Sequence, residues 1–162
     1  MAVNEMIANE MTREGYDALV QELEFRSGEK RKEIAERLKE AISYGDISEN
    51  SEFDAAKEEQ ADNEDRIREI EAILRTSKVI DESDFAGEGV VQTGRTVVIK
   101  DLVYDEEMTF HIVGTTEADP LNGKLSNGSL VGQHIIGHVA GDVVEFSVPE
   151  GTAKYQIIEV IG

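Results

Sequence analysis

The chain has 162 residues, 40% of them hydrophobic, with 35 acidic against 16 basic side chains and a formal net charge of −19. That length suits one or two small domains, and no apolar run is long enough to span a bilayer. The acidic excess repels phosphate at long range and argues against unaided nucleic-acid binding, and the absence of cysteine removes disulfides, thiolate nucleophiles and cysteine-ligated zinc.

The segment Met1 to Met11 has neither a basic region followed by an apolar core nor a small-residue cleavage site, so a cytoplasmic protein without membrane contact is expected. Thr12 is placed to cap a first helix, in which Tyr16, Leu19, Leu23, Ile34, Leu38 and Ala41 share one face out to Tyr44. That face is polar from Ser27 to Lys32, where a loosened stretch with a kink at Gly28 is expected. Gly45 reads as the stop. A second helix from about Phe53 to Ser77 carries Ala56, Gln60, Asn63, Ile67, Ile70 and Leu74 at alternating four and three spacing, the seam of a coiled coil. The short link makes the two helices antiparallel neighbours, with Ala41 near Ala56, Leu38 near Gln60 and Leu23 near Leu74. Polar Gln60 and Asn63 in a seam can fix register while lowering stability.

Near 81–89 the pattern changes. Before it the chain is rich in Glu, Lys, Arg and Ala without proline; after it come short β-rich runs, most of the glycines and both prolines. The expected organisation is therefore α+β: a long antiparallel helical hairpin over 1–80 with its tip at 45–53, a linker over 81–89, and an antiparallel β domain over 90–162. Strands are expected over Arg95–Lys100, Met108–Val113, Val139–Val148 and Lys154–Ile161, with a short helix over Leu130–Ile136. Of the histidines, His111, His134 and His138, the last two are four apart, but Gly137 interrupts a shared helix; ordinary strand and loop roles are expected for all three.

The hairpin turn carries the chemistry. Gly45-Asp46-Ile47-Ser48-Glu49-Asn50-Ser51-Glu52-Phe53 places two carboxylates three residues apart at the end of a long arm. One reading is structural: Asp46-x-x-Glu49 has the outline of a capping box, and acids complement a helix N-terminus. Ser48 and Ser51 are also available as caps. The other reading is half of a Mg²⁺ site, since two carboxylates leave an octahedral oxygen shell incomplete and a partner would have to finish it.

This loop, followed by Ala55-Ala56-Lys57-Glu58-Glu59-Gln60 and Arg66-Ile67, resembles the Gre transcript-cleavage factors of bacterial RNA polymerase. Supporting matches are Thr12-x-x-Gly15-Tyr16-x-x-Leu19, Ile112-Val113-Gly114 with Glu117-Ala118-Asp119-Pro120, and Gly137-x-x-x-Gly141-Asp142-Val143-Val144. The resemblance covers nearly everything after Met11. It implies a monomeric factor whose hairpin enters the secondary channel of a backtracked polymerase and stimulates cleavage of the nascent RNA 3′ end by the polymerase itself, so that the chain is a catalytic accessory and not a nuclease. It implies that Asp46 and Glu49 hold a Mg²⁺ jointly with the polymerase active site, where the metal acts as Lewis acid and lowers the pKa of its bound water. Ser48, Asn50 and Phe53 then position the tip, with Phe53 where the family commonly has tyrosine.

Arg26, Lys30, Arg31, Arg37 and Lys39 are the implied candidates for contact with RNA, although they alternate with Glu29, Glu33, Glu36 and Glu40 as on a solvated helix face. Lys32 stands where the family often has proline. The second domain is implied to be FKBP-like and to dock on the coiled coil at the channel rim through Asp119, Pro120, Ser129 and Leu130, the last in place of a frequent proline. Two other classes fit parts of the pattern: an inhibitor that occupies the same channel, and a prolyl isomerase, which would need an aromatic pocket from Tyr104, Phe110, Phe146 and Tyr155.

Overall fold

The computed structural model describes residues 9–45, 50–85 and 87–162. They form two compact units, one of Tyr16–Thr76 and one that combines the segment up to Gly15 with Ser77–Gly162.

In the first of these, helix α1 (Arg13–Phe25) runs through a five-residue π-turn, Arg26–Lys30, into α2 (Arg31–Ser43), and α3 (Ser51–Thr76) returns beside them. At 1.5 Å per residue, α3 is about 39 Å long. Ile34, Ala41, Ala56, Asn63, Ile67 and Ile70 are buried, and Leu38, Gln60 and Leu74 are half-buried, so the expected seam faces inward along its length. The polar stretch of the first helix differs from expectation. Gly28 lies inside the π-turn and has no positive φ, and the irregularity takes the form of i→i+5 bonding. Strict alternation of three and four from Leu23 would bring Glu33, Arg37 and Glu40 inward; the apolar residues come one later, at Ile34, Leu38 and Ala41. A π-turn holds one extra residue, and it sits where this offset arises.

The second unit is built on a five-stranded sheet of order β5-β4-β3-β7-β6, with β3 Thr96–Asp101, β4 Glu106–Val113, β5 Lys124–Ser126, β6 Val143–Val148 and β7 Gly151–Ile161. It is antiparallel except for the β4-β5 edge, and β3 meets β7 with a register shift between Val98 and Ile99. A short helix, α4 (Leu130–Ile135), covers a core that includes Val97, Ile99, Ile112, Ile135, Phe146 and Ile157. The first residues of the expected strand at Val139 instead form a turn, in which the Asp142 carboxylate accepts from Val139 N at 3.0 Å and Gly141 takes φ +95°. Three-residue β5 carries too little alternation to be seen in the sequence.

The unit boundary also differs from the expected one. Glu10–Thr12 (β1) and Lys78–Ile80 (β2), expected as the ends of the hairpin, pair as parallel strands within the β-rich unit. Glu117 explains why. Its carboxylate accepts from Thr12 N at 3.0 Å, from Gly114 N at 2.8 Å and from the Thr12 hydroxyl, while Thr12 Oγ caps α1 by accepting from Gly15 N at 3.1 Å. A Cβ at Gly15 would lie 2.0 Å from Glu117 Oε1, so a side chain there would displace the carboxylate that holds β1. The expected linker is likewise ordered where described: Glu82–Asp84 is a 3₁₀ turn, and the Phe85 ring lies 4.5 Å beneath the Arg95 guanidinium.

Candidate functional site

Asp46, Ser48 and Glu49 lie outside the described residues; their flanks do not. On the incoming side α2 ends at Tyr44, whose N–H bonds to Ala41 O, and Gly45 takes φ +114°, the left-handed conformation expected of a helix stop. On the outgoing side Asn50 is the N-cap of α3. Its Oδ1 accepts from Glu52 N and Phe53 N, both at 3.1 Å, the second and third residues of the helix. Its Nδ2 donates to Ala41 O at 2.6 Å on the opposite helix. One side chain thus starts α3 and ties it to the end of α2. Phe53 is half-buried in the first turn. Ser51, considered as a cap, is instead the first residue of α3, and the side chain at its N-cap is that of Asn50. Among the described residues no cluster of three or more His, Asp or Glu could hold a metal ion.

Along the shaft most of the candidate cations are tied to acids of the hairpin itself. Lys30 and Arg37 converge on Glu59, with Lys30 Nζ at 2.6 Å. Arg31 makes a bidentate pair with Glu64 at 2.8 and 2.9 Å. The neighbouring cations hold the Glu59 and Glu64 carboxyls below the usual range, Lys30 foremost for the first and Arg31 for the second. Arg26 Nε lies 2.6 Å from Glu22, which also accepts two bonds from Arg66 at 2.9 and 3.0 Å. Chiefly through Arg66, and against its own desolvation, the Glu22 carboxyl is lowered to about 2. Lys39 makes no ion pair among the described residues. The sequence shows these charges alternating; it does not show that the acids of α3 face the cations of the π-turn and α2.

In the β-rich unit Asp119 and Pro120 form a tight loop. Pro120 opens a 3₁₀ turn, Asn122 Nδ2 donates to Asp119 Oδ2 at 2.6 Å, and the backbones of Asp119 and Lys124 exchange hydrogen bonds. The adjoining Leu121 is 97% exposed, a feature with no signal in sequence beyond its place after Asp-Pro. Ser129 caps α4 by accepting from Gly132 N at 3.0 Å, and Leu130 beside it is exposed. The histidines have ordinary partners: His111 with the Thr96 hydroxyl, His138 with Asp142, and His134 stacked 4.2 Å from the Phe146 ring. Phe110, Phe146 and Tyr155 pack against the core, and Tyr104 is exposed in the turn between β3 and β4.

A long helical hairpin whose arms are tied by Asn50 beside the turn, in a chain with a separate β-rich unit, defines a two-unit protein of hairpin and sheet. Comparison with known proteins gives that class a name. The family model for the transcription elongation factor N-terminal domain matches residues 9–79, and that for the GreA/GreB C-terminal domain matches 86–161. Transcription elongation factor GreA of Clostridioides difficile is 52% identical over 150 residues, which cover 93% of this chain and 94% of the relative. GreA of Acetivibrio thermocellus is 49% identical over 160 residues, 99% of both chains. The solved structure of GreA factor homolog 1 from Thermus thermophilus is 31% identical, with a TM-score of 0.41 and coverage of 94% of this chain and 98% of that one. The chain belongs to the GreA/GreB family of transcription elongation factors.

Proposed function

We propose that the chain enters the secondary channel of a backtracked bacterial RNA polymerase tip first and stimulates the polymerase's own Mg²⁺-dependent cleavage of the RNA 3′ end. Arrested complexes would thereby regain a 3′ end in register for elongation. The observation that carries this reading beyond family membership is Asn50, which caps α3 and binds the opposite helix, so that Asp46 and Glu49 are not needed for capping.

Two carboxylates offer hard oxygen donors of the kind Mg²⁺ takes, and too few of them to complete its shell, so the remaining ligands would come from the polymerase. The ion, when bound, supplies Lewis acidity toward the RNA phosphate and a water of lowered pKa. In this reading Asp46 serves ligation, and Glu49 adds orientation of the attacking water. Asn50 and Phe53 hold the loop ends, and Ser48 completes the tip. Arg26, Lys30, Arg31 and Arg37 would have to exchange an acid for RNA, whereas Lys39 makes no ion pair among the described residues. Asp119, Pro120, Ser129 and Leu130, with exposed Leu121 among them, form the surface that docks on the rim coiled coil. The chain acts as a cytoplasmic monomer and as a catalytic accessory of the polymerase.

The test is to stall a bacterial polymerase on labelled RNA, induce backtracking, add the protein with Mg²⁺ and follow shortening from the 3′ end. Cleavage is expected with the wild type and is lost in Asp46→Ala and Glu49→Ala while polymerase binding persists. Undiminished cleavage by both variants would refute the assignment of the tip acids; inhibition by the wild type would place the chain with channel-blocking relatives.

A further inference from the structure

We propose that the π-turn and Asn63 form a phase lock between the two arms of the hairpin, and that Asn63 is a positioning residue for the tip. The effect on cleavage rests on the function proposed above; the lock itself does not.

Asn63 is 2% exposed, in the middle of a seam where an apolar residue would bury more favourably. It is nevertheless satisfied from both sides. Its Nδ2 donates to Arg26 O at 3.0 Å, and its Oδ1 accepts from Arg26 NH1 at 3.2 Å. The carbonyl that it takes belongs to the first residue of the π-turn, where the regular i→i+4 ladder is interrupted. Ser27, next in the turn, returns its hydroxyl to Leu23 O at 2.7 Å. Around this centre Glu22 binds both Arg26 and Arg66, so that the side chain of Arg26 is held at each end of its guanidinium.

The consequence is geometric. A π-turn admits one extra residue, and the same amino acids could relax to an unbroken α-helix with the surplus residue pushed elsewhere along the arm. Each residue of displacement rotates the following helix by about 100° and moves it about 1.5 Å along its axis. A pair of hydrogen bonds that can form only when Arg26 O faces Asn63 selects one phase. Everything toward the tip, about 20 Å further along α3 at its rise per residue, inherits that choice. An apolar side chain at 63 would bury as well and choose nothing; buried polar groups that specify register at a cost in stability act in this manner. Metal ligation by two carboxylates shared with another protein needs placement to about half an ångström, so a loss of phase removes function without removing the fold.

The test uses the full chain, whose lack of cysteine allows clean labelling. Spin labels at Glu36→Cys and Lys57→Cys, on opposite arms toward the tip, report the distance distribution by double electron–electron resonance. Asn63→Leu removes both bonds. Asn63→Asp keeps the shape and the acceptor for Arg26, but sets an acceptor oxygen against the carbonyl in place of the donor and adds a charge beside the Arg26 guanidinium. A broadened or shifted distribution is expected in both, larger in Asn63→Leu, with helicity retained and polymerase binding unchanged. Stimulated cleavage should fall at least tenfold in Asn63→Leu, and supplying more protein should not restore it. An unchanged distribution in both variants overturns the lock. A changed distribution with cleavage intact overturns the positioning role. Absence of cleavage with the wild type refutes the proposed function and leaves the distance measurement to decide the lock alone.

Discussion

The two units are held together by different physics. The β-rich unit buries a contiguous apolar cluster, from Val91 and Val97 to Phe146 and Ile157, under a sheet and a short helix. The hairpin has a single seam: α1 contains no buried residue, α2 contributes Ile34 and Ala41, and α3 adds Ala56, Asn63, Ile67 and Ile70. The seam is flanked by charges paired across it, Glu22 with Arg66, Arg31 with Glu64, and Lys30 and Arg37 with Glu59. A thick apolar core tolerates a change of salt or pH and resents the loss of a methyl group; a thin seam with ionic flanks does the reverse.

The comparison can be broken most sharply by truncating one isoleucine in each unit. Ile157 is fully buried at the centre of the sheet, and Ile157→Ala should destabilise the β-rich unit by about 4 kcal/mol, cavity included. Ile34 is equally enclosed but borders a cleft of about 150 Å³ between the helices, lined by Arg31, Gln60, Asn63 and Glu64. There the gap can collapse or hydrate, so Ile34→Ala should cost about 2 kcal/mol. Urea unfolding followed at separate probes of the two units measures both. Equal costs would mean that the seam is packed as tightly as the sheet.

A smaller effect sharpens where one unit ends. The three bonds that Glu117 accepts from Thr12 and Gly114 hold the first strand in the β-rich unit. Glu117→Ala leaves two backbone N–H groups beside buried Thr12 without their acceptor, at a cost of about 2 kcal/mol. Amide exchange should accelerate across β1 and β2 and at Gly114, and the π-turn should stay as protected as before. Protection lost along the whole of α3 instead would show that the boundary drawn at Gly15 and Ser77 is not a cooperative one.

Much of this was legible in the sequence, and the exceptions share a cause. Periodicity reports which residues face inward, so Ala56, Gln60, Asn63, Ile67, Ile70 and Leu74 were readable as a face, and a left-handed stop at Gly45 needs only a glycine at the right place. Periodicity does not report what a polar inward residue bonds to. Asn63 therefore reads only as a polar seam residue able to fix register, and Ser27–Lys32 as loosening, where the structure has a bonded network. Residue type offers Asp46, Ser48 and Ser51 as caps without choosing, and the structure fills the N-cap of α3 with Asn50, whose side chain also reaches Ala41 O. The Glu117 bonds and the parallel pairing of Glu10–Thr12 with Lys78–Ile80 join residues far apart in the chain, which no local pattern encodes. The acidic pair at the tip reads as candidate chemistry but lies outside the described residues, while the acids that pair with the shaft cations are legible only as composition.

The smallest expected effect tests the ionic half of the comparison. Glu22 is bound by Arg66 and Arg26, and its carboxyl is lowered from 4.5 to about 2 in the folded hairpin. A depressed acid contributes stability that is fully present above the unfolded value and is lost as pH falls through the folded one, here between about 4.5 and about 2. The carboxylate is partly exposed, so screening reduces the contribution to about 1 kcal/mol. Many other carboxyls titrate in the same window, so the informative quantity is a difference. Glu22→Gln should melt below the wild type at pH 6, and the gap should shrink steadily below pH 4.5 and be nearly closed at pH 2. The β-rich unit should show no gap at any pH, because none of its contacts involve Glu22. A gap that stays constant down to pH 2 would mean that the side chain acts through packing, and the seam would then be held less by charge than its geometry implies.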